Sequence, residues 1–408
     1  MAVGAALCGG AGQAVAAQDA AAPAALAPAE VVSTGGTPVD VIVGPDGTAY
    51  IGGYNGFGGV LVIPPGEPGP TRRITTGPNV AGLALGPDGT LYVAQQLGGS
   101  VGGAEIGVVP PGGAAVARTI PVSRGNHLIA AGPDGKVYVP NPENKSVLVL
   151  AAGGTAVDHV IGVGAGPVEV AVGPDGTAYV VNQIEGTVSI VPAGQAAASH
   201  TIPTGTVAST TENPHGIAVA PDGTVYVTNI STNKVAVIGT GADRVGYTIY
   251  VPGGPTEAAL GPDGTLYVSS VLTPGISVIK PGSRTVDSTI PTEGQPGHLA
   301  VAPDGSIIAA TPGTGLGNGS VSRYAPPAPV PASASGGSAG PKAGNGTGVG
   351  NDAAVGNAAG PSPWSSPGAV AGAGGAAVIV VAALVLLLGR RRSTGVTRSD
   401  GDVTAEQA

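Results

Sequence analysis

Cysteine, large aromatics and charge are all scarce in this 408-residue chain. It has one cysteine (Cys8), one tryptophan (Trp364) and one phenylalanine (Phe57). A single thiol excludes an intramolecular disulfide framework and a cysteine-ligated metal centre. Cys8 falls within residues 1–17, a small, mildly apolar stretch ending in Ala14-Val15-Ala16-Ala17 that suits signal-peptidase cleavage. A basic region before it is missing, so the start reads as truncated or misassigned, and a processed chain would keep no thiol for nucleophilic catalysis. Charged residues make up 10% of the chain, with 25 acids against 16 Lys and Arg for a net charge of −9. That balance disfavours nucleic acid as a partner, which requires basic patches. Phosphate-binding loops are lacking as well. The Gly162-x-Gly164-x-Gly166 run has no strand-to-helix context, and Gly132 to Lys136 lacks the spacing and the hydroxyl residue of a P-loop.

What abounds is glycine, at 73 residues, and proline, at 39. Such a composition can mean disorder, but here much of it is phased. Pro-Asp-Gly recurs seven times, with its aspartate at Asp46, Asp88, Asp134, Asp175, Asp222, Asp263 and Asp304. The gaps are 42, 46, 41, 47, 41 and 41 residues. A period near 40 marks one supersecondary unit that buries its apolar faces only by stacking on copies of itself.

The fifth copy shows the unit clearly. Apolar or β-branched runs at 217–220, 224–228, 234–238 and 247–251 read as four strands. Pro221-Asp222-Gly223 joins the first two as a hairpin: proline presets φ, aspartate bonds the backbone ahead, and glycine accepts φ > 0. No helical period is present. Four-stranded units at this spacing predict an all-β fold, a seven-bladed β-propeller spanning residues 31–325. Tyrosine stands four residues after the aspartate in six copies (Tyr50, Tyr92, Tyr138, Tyr179, Tyr226, Tyr267), with Ile308 in the seventh; a fixed blade position predicts blade-to-blade packing. Fourth strands read at 71–75, 118–122, 159–163, 200–204, 247–251 and 288–292. The seventh copy turns proline-rich after its third strand at 320–324. The missing strand is expected at 31–34, pairing with the last blade and closing the ring.

Tyr226-Val227-Thr228-Asn229, followed by the Asn233 to Ile238 run, resembles the YVTN family of β-propeller repeat proteins. The Pro214-x-Gly216-Ile217-Ala218-Val219 start is similar to NHL repeats. Tyr179-Val180-Val181-Asn182 and Tyr138-Val139-Pro140-Asn141 are partial echoes. The resemblance implies the propeller fold over residues 31–325. It does not imply one activity, since these families include surface proteins, binding scaffolds and enzymes. A Trp-Asp dipeptide, the mark of WD40 repeats, is absent.

Outside the propeller, residues 18–30 read as a linker and residues 326–368 as a Pro/Gly/Ala/Ser-rich stalk, whose ends coil scaling puts about 35–40 Å apart. Ala369 opens and Leu388 ends a 20-residue segment without charge, followed by Arg390, Arg391 and Arg392. At 1.5 Å per residue it reaches roughly 30 Å, enough to span a bilayer core. Trp364 suits the interface, and the arginines put residues 389–408 in the cytoplasm and the propeller outside. The expectation is a single-pass cell-membrane protein.

Strand direction puts the Pro-Asp-Gly turns on one face and the start of each innermost strand on the other. Six residues before each repeat aspartate stand Asp40, Gly82, Leu128, Glu169, Gly216, Glu257 and His298, ringing the channel mouth; His127 and His215 come one position earlier, with Asn126 and Asn213 nearby. Acids and imidazoles gathered there suit a polar binding site or a divalent ion, with Glu169, Glu257 and His298 as candidate ligands. The same groups could simply hydrate a wet channel. Asn141, Asn182 and Asn229 are read as satisfying loop backbone groups, and His159 and His200 as surface residues. The leading expectation is a non-enzymatic binding module that presents this face to a protein or envelope ligand and needs no cofactor. The competing one is a metal-dependent lyase or lactonase of the propeller type, with Asp40 as a further ligand. Related-looking propeller lactonases and streptogramin lyases place acids or histidines at this mouth, but neither active-site motif matches residue by residue.

Overall fold

The structure, a computed structural model, describes residues 28, 30–97, 103–125, 128–204, 214–313 and 318–325. The described strands form seven four-stranded antiparallel sheets. Their innermost strands are Thr37–Val43, Val80–Leu85, Ala130–Ala131, Pro167–Val172, Pro214–Val219, Pro255–Leu260 and His298–Val301, which define blades 1 to 7. The expected signal peptide, stalk, membrane span and tail lie outside the described residues, among which no helix is long and apolar enough to cross a membrane.

The first two strands of each blade are joined by the same turn, and its chemistry is complete. The aspartate Oδ1 accepts the backbone N–H two residues on at 2.8–3.1 Å in all seven copies. In four of them the following threonine hydroxyl donates to Oδ2 at 2.8–2.9 Å. The glycine between has φ of +78° to +86° in every turn, a backbone setting that a β-carbon would strain. The Thr90 backbone N–H, and then its hydroxyl, hold Asp88 below the usual carboxylate pKa.

Seven apolar layers lie between the blades, and each joins two neighbours. Tyr92 packs with Val137, Val139 and Leu148 of blade 3, and Tyr267 with Leu299 and Ile307 of blade 7. Ile308 takes that role where blade 7 meets blade 1, against Val41 and Ile51. Each such side chain, fully buried, contributes about 1.5–3 kcal/mol. A blade alone could not bury both of its faces, which is why the repeat must close on itself.

The closure is made by Glu30–Ser33, which pairs antiparallel with Ser320–Tyr324, Glu30 opposite Arg323 and Ser33 opposite Ser320. The Thr34 hydroxyl donates to the Gly319 carbonyl at 2.9 Å, and Arg323 reaches Asp304 at 3.0 Å. First and last segments of the propeller therefore share one sheet.

Candidate functional site

The innermost strands do not run straight into the channel mouth. Five carry a register irregularity near their first residues: between Pro38 and Asp40, Val80 and Gly82, Pro167 and Glu169, Pro214 and Ile217, and Pro255 and Ala258. A bulge re-aims the side chain it carries, and a proline at the strand start withholds a ladder donor. The two widest irregularities, in blades 5 and 6, are pinned by hydroxyls two residues after the repeat tyrosine. Thr228 Oγ1 accepts Gly216 N–H at 2.8 Å and donates to the Thr256 carbonyl at 2.7 Å, and Ser269 Oγ accepts Glu257 N–H at 3.2 Å. The threonine of Tyr226-Val227-Thr228-Asn229 thus holds the strand entry that carries His215.

These devices gather the predicted residues. Asp40, Glu169, Glu257 and His298 line one cavity of about 130 Å³, whose remaining wall is Val41, Ile42, Leu83, Leu128, Ile129, Val170 and Leu299. Asp40, Glu169 and Glu257 are each at most 7% exposed. Asp40 is fixed across the seam between blades 1 and 2, where its Oδ2 accepts Leu83 N–H at 2.7 Å. Glu169 Oε1 accepts Ile217 N–H of blade 5 at 3.4 Å, and Leu128 bridges to Glu169 in parallel. His298 Nδ1 stands 3.3 Å from Glu257 Oε2, and its ring meets that of His215 edge-on at 6.2 Å. Asn126, His127 and Asn213 lie outside the described residues.

The grouping of possible metal ligands is not the one the register suggested. Lone-pair atoms of Glu169, His215 and Glu257 come within 4.8 Å of one another, while His298 stands beside Glu257 as its ion-pair partner. Gly216 is the reason His215 enters. It occupies the ring position that carries an acid in blades 1, 4 and 6, but a β-carbon there would collide with the Thr256 carbonyl and lie 2.8 Å from Glu257 Cα. The bulge turns the preceding residue inward instead.

The electrostatics follow from burial. Burial pushes Asp40 up to about 6, against the pull of His298. Burial and the Glu257 carboxylate hold Glu169 well above the usual range. Burial pushes His215 down to about 4, so it is a neutral imidazole near pH 7. Burial also opposes charge on His298, but Glu257 and Asp40 outweigh it and raise its pKa. Glu169 Oε2 and His215 Nδ1 are buried without a hydrogen-bond partner, and Glu257 Oε2 has only its ion pair with His298. Buried polar groups are nearly always satisfied, and these three belong to the three residues that converge.

Residues 66–271, just over half of the chain, match the virginiamycin B lyase family. The chain belongs to this family. The matched stretch holds Glu169, His215 and Glu257 but stops short of Asp40 and His298. No curated protein matches the chain. Among solved structures, hydrazine synthase of Kuenenia stuttgartiensis is similar at 20% identity and TM-score 0.60, over 72% of this chain and 96% of that one. Virginiamycin B lyase of Staphylococcus aureus gives 14% and 0.59, over 72% and 98%, and a streptogramin B lyase gives 16% and 0.56, over 71% and 93%. At these identities the likeness is one of fold.

Proposed function

We propose that this protein is an extracytoplasmic binding module, held to the cell membrane by residues 369–388, whose propeller takes up a positively charged ligand at the channel mouth. One observation carries the reading: three buried acids, Asp40, Glu169 and Glu257, share a cavity with His298 as their one ionisable counter-group, and Glu169 Oε2 and His215 Nδ1 beside it lack donors. Uncompensated buried charge is costly, and a cation entering from the mouth would relieve it. The ligand can be presented by a protein or an envelope component, because the mouth opens away from the Pro-Asp-Gly turns. Calorimetric titration of the full chain with cationic, neutral and anionic probes tests it. Saturable uptake confined to cations supports the module, and equal uptake of all three classes removes it.

Family membership and the convergence of Glu169, His215 and Glu257 favour a second reading, a cation-assisted lyase. The donor set fits a divalent ion: two carboxylates, and a neutral imidazole whose ring also hydrogen-bonds the Thr256 backbone, leaving Nδ1 free to ligate. A bound divalent ion would supply Lewis-acid polarisation of a carbonyl oxygen. An elimination also needs a base and an acid. Asp40, with its pKa near 6, can accept a proton, and the His298 imidazolium can donate one to a leaving group. Incubation of the full chain with virginiamycin B, with magnesium, manganese or zinc and then with chelator, decides between the two. Chelator-sensitive conversion would displace the pure binding module, and no conversion with any ion would remove this lyase.

A further inference from the structure

Two buried hydroxyls link three site-bearing strands through one peptide group. Thr228 and Ser269, each 0% exposed, stand two residues after the repeat tyrosine in blades 5 and 6. The same position holds Gly52, Ala94, Pro140, Val181 and Ala310 in the other blades, none with a hydroxyl. In blade 5 the register passes from Pro214 opposite Asn229 to Ile217 opposite Val227, which leaves Thr228 facing His215 and Gly216 together. In blade 6 Ser269 faces Thr256 and Glu257 in the same way. Such a two-against-one bulge breaks the ladder, and the hydroxyls replace the missing bonds. Thr228 Oγ1 accepts Gly216 N–H at 2.8 Å and donates to the Thr256 carbonyl at 2.7 Å. The Gly216 carbonyl stands farther off, at 3.4 Å, so the single hydroxyl proton goes to Thr256. Across the same Thr256–Glu257 peptide, Glu257 N–H donates to Ser269 Oγ at 3.2 Å. Ser269 donates onward, at 3.3 Å, to the Gly297 carbonyl in the peptide that leads into His298. Every link points the same way, from blade 5 through blade 6 to blade 7.

We infer that Thr228 and Ser269 are positioning residues for the mouth, and that they set the spacing of His215, Glu257 and His298 as one unit. The inference rests on the mouth being a cation site and names the groups that keep that site in one shape. A peptide bonded on both sides polarises, so each bond in such a chain strengthens the next. The Thr256–Glu257 peptide therefore cannot shift toward one hydroxyl without stretching its bond to the other. Its carbonyl also takes the ring N–H of His215, using the second lone pair. The position of that one peptide thus fixes the His215 imidazole as well as the Glu257 backbone. Through Ser269 it also fixes the strand entry of His298, the ion-pair partner of Glu257.

The test joins amide NMR of the full chain with calorimetric titration by magnesium, manganese and zinc chlorides. Ser269→Ala should move the amide proton resonance of Gly216, although Gly216 lies in another blade. Ser269→Ala and Thr228→Val should each weaken ion uptake about fivefold or more, and Thr228→Ser should restore it to within about twofold of wild type. The double variant should lose less than the product of the two single losses, because both act through one peptide. A Gly216 resonance that stays put in Ser269→Ala, or losses that simply multiply, would overturn the inference. If the wild type takes up no ion, the cation reading falls, and the Gly216 resonance still decides the coupling. The wild type decides even if a variant fails to fold. Slow amide exchange at both Gly216 and Glu257 supports the bonded chain, and fast exchange at either overturns it.

Discussion

The two faces of this propeller use the same residue type for opposite ends. On the turn face, seven aspartates accept local N–H groups, and three of them, Asp88, Asp134 and Asp304, have their pKa values lowered. At the mouth, Asp40 and Glu169 are buried and have theirs raised. A carboxylate among donors stabilises the fold, whereas one among apolar walls and other acids weakens it. Stability is built on one face and given up on the other, which is the usual sign of a functional site.

The largest expected effect concerns the frame that both faces share. Deleting residues 31–34 strips the outer strand from blade 7 and reopens the ring, at a cost on the order of 4 kcal/mol or more. Thermal unfolding followed by circular dichroism should show a large drop in Tm; an unchanged curve would refute the closure as a stabilising element.

Next is the pH response of the mouth. Asp40 titrates near 6 in the folded state and near 3.8 unfolded. Between those values the folded chain holds more protons, so stability falls as pH rises from about 4 to 6, by about 3 kcal/mol at most. Asp40→Asn should flatten that slope in chemical denaturation. The turn face runs the other way: Asp88 contributes stability above its unfolded pKa of 3.8 that is lost as pH falls through its lower folded value. Asp88→Asn should therefore destabilise near neutral pH and leave ligand uptake alone. A mouth variant that lost stability in acid as Asp88→Asn does at neutral pH would erase the contrast.

A smaller effect is expected at Gly216. Gly216→Ala forces a methyl against the Thr256 carbonyl, for about 1–3 kcal/mol. Because the shift falls on His215 and Glu257, cation uptake should weaken as well. Full retention of binding would show that the bulge does not set the site.

Most of the frame could be read before any coordinates, because turn chemistry is local. Pro221-Asp222-Gly223 contains its own explanation, and seven copies at one period imply stacking. The closing strand was found from a missing fourth strand, again a matter of counting. The mouth is different. Register alone brought Asp40, Glu169, Glu257 and His298 to one ring, but the partner of each was settled by bulges and seams between residues far apart in sequence, 43 positions for Asp40 and Leu83 and 48 for Glu169 and Ile217. That His215, not His298, joins Glu169 and Glu257 depends on a backbone collision at Gly216, and such a collision has no linear signature.

The most direct measurement of the central claim is the unfolding stability of the full chain with Glu169→Gln, beside ligand uptake by the same sample. Removing a buried, poorly partnered acid should raise stability by about 1–2 kcal/mol while weakening cation uptake tenfold or more. A loss of stability with uptake unchanged would mean that Glu169 is structural, and that the mouth holds no site.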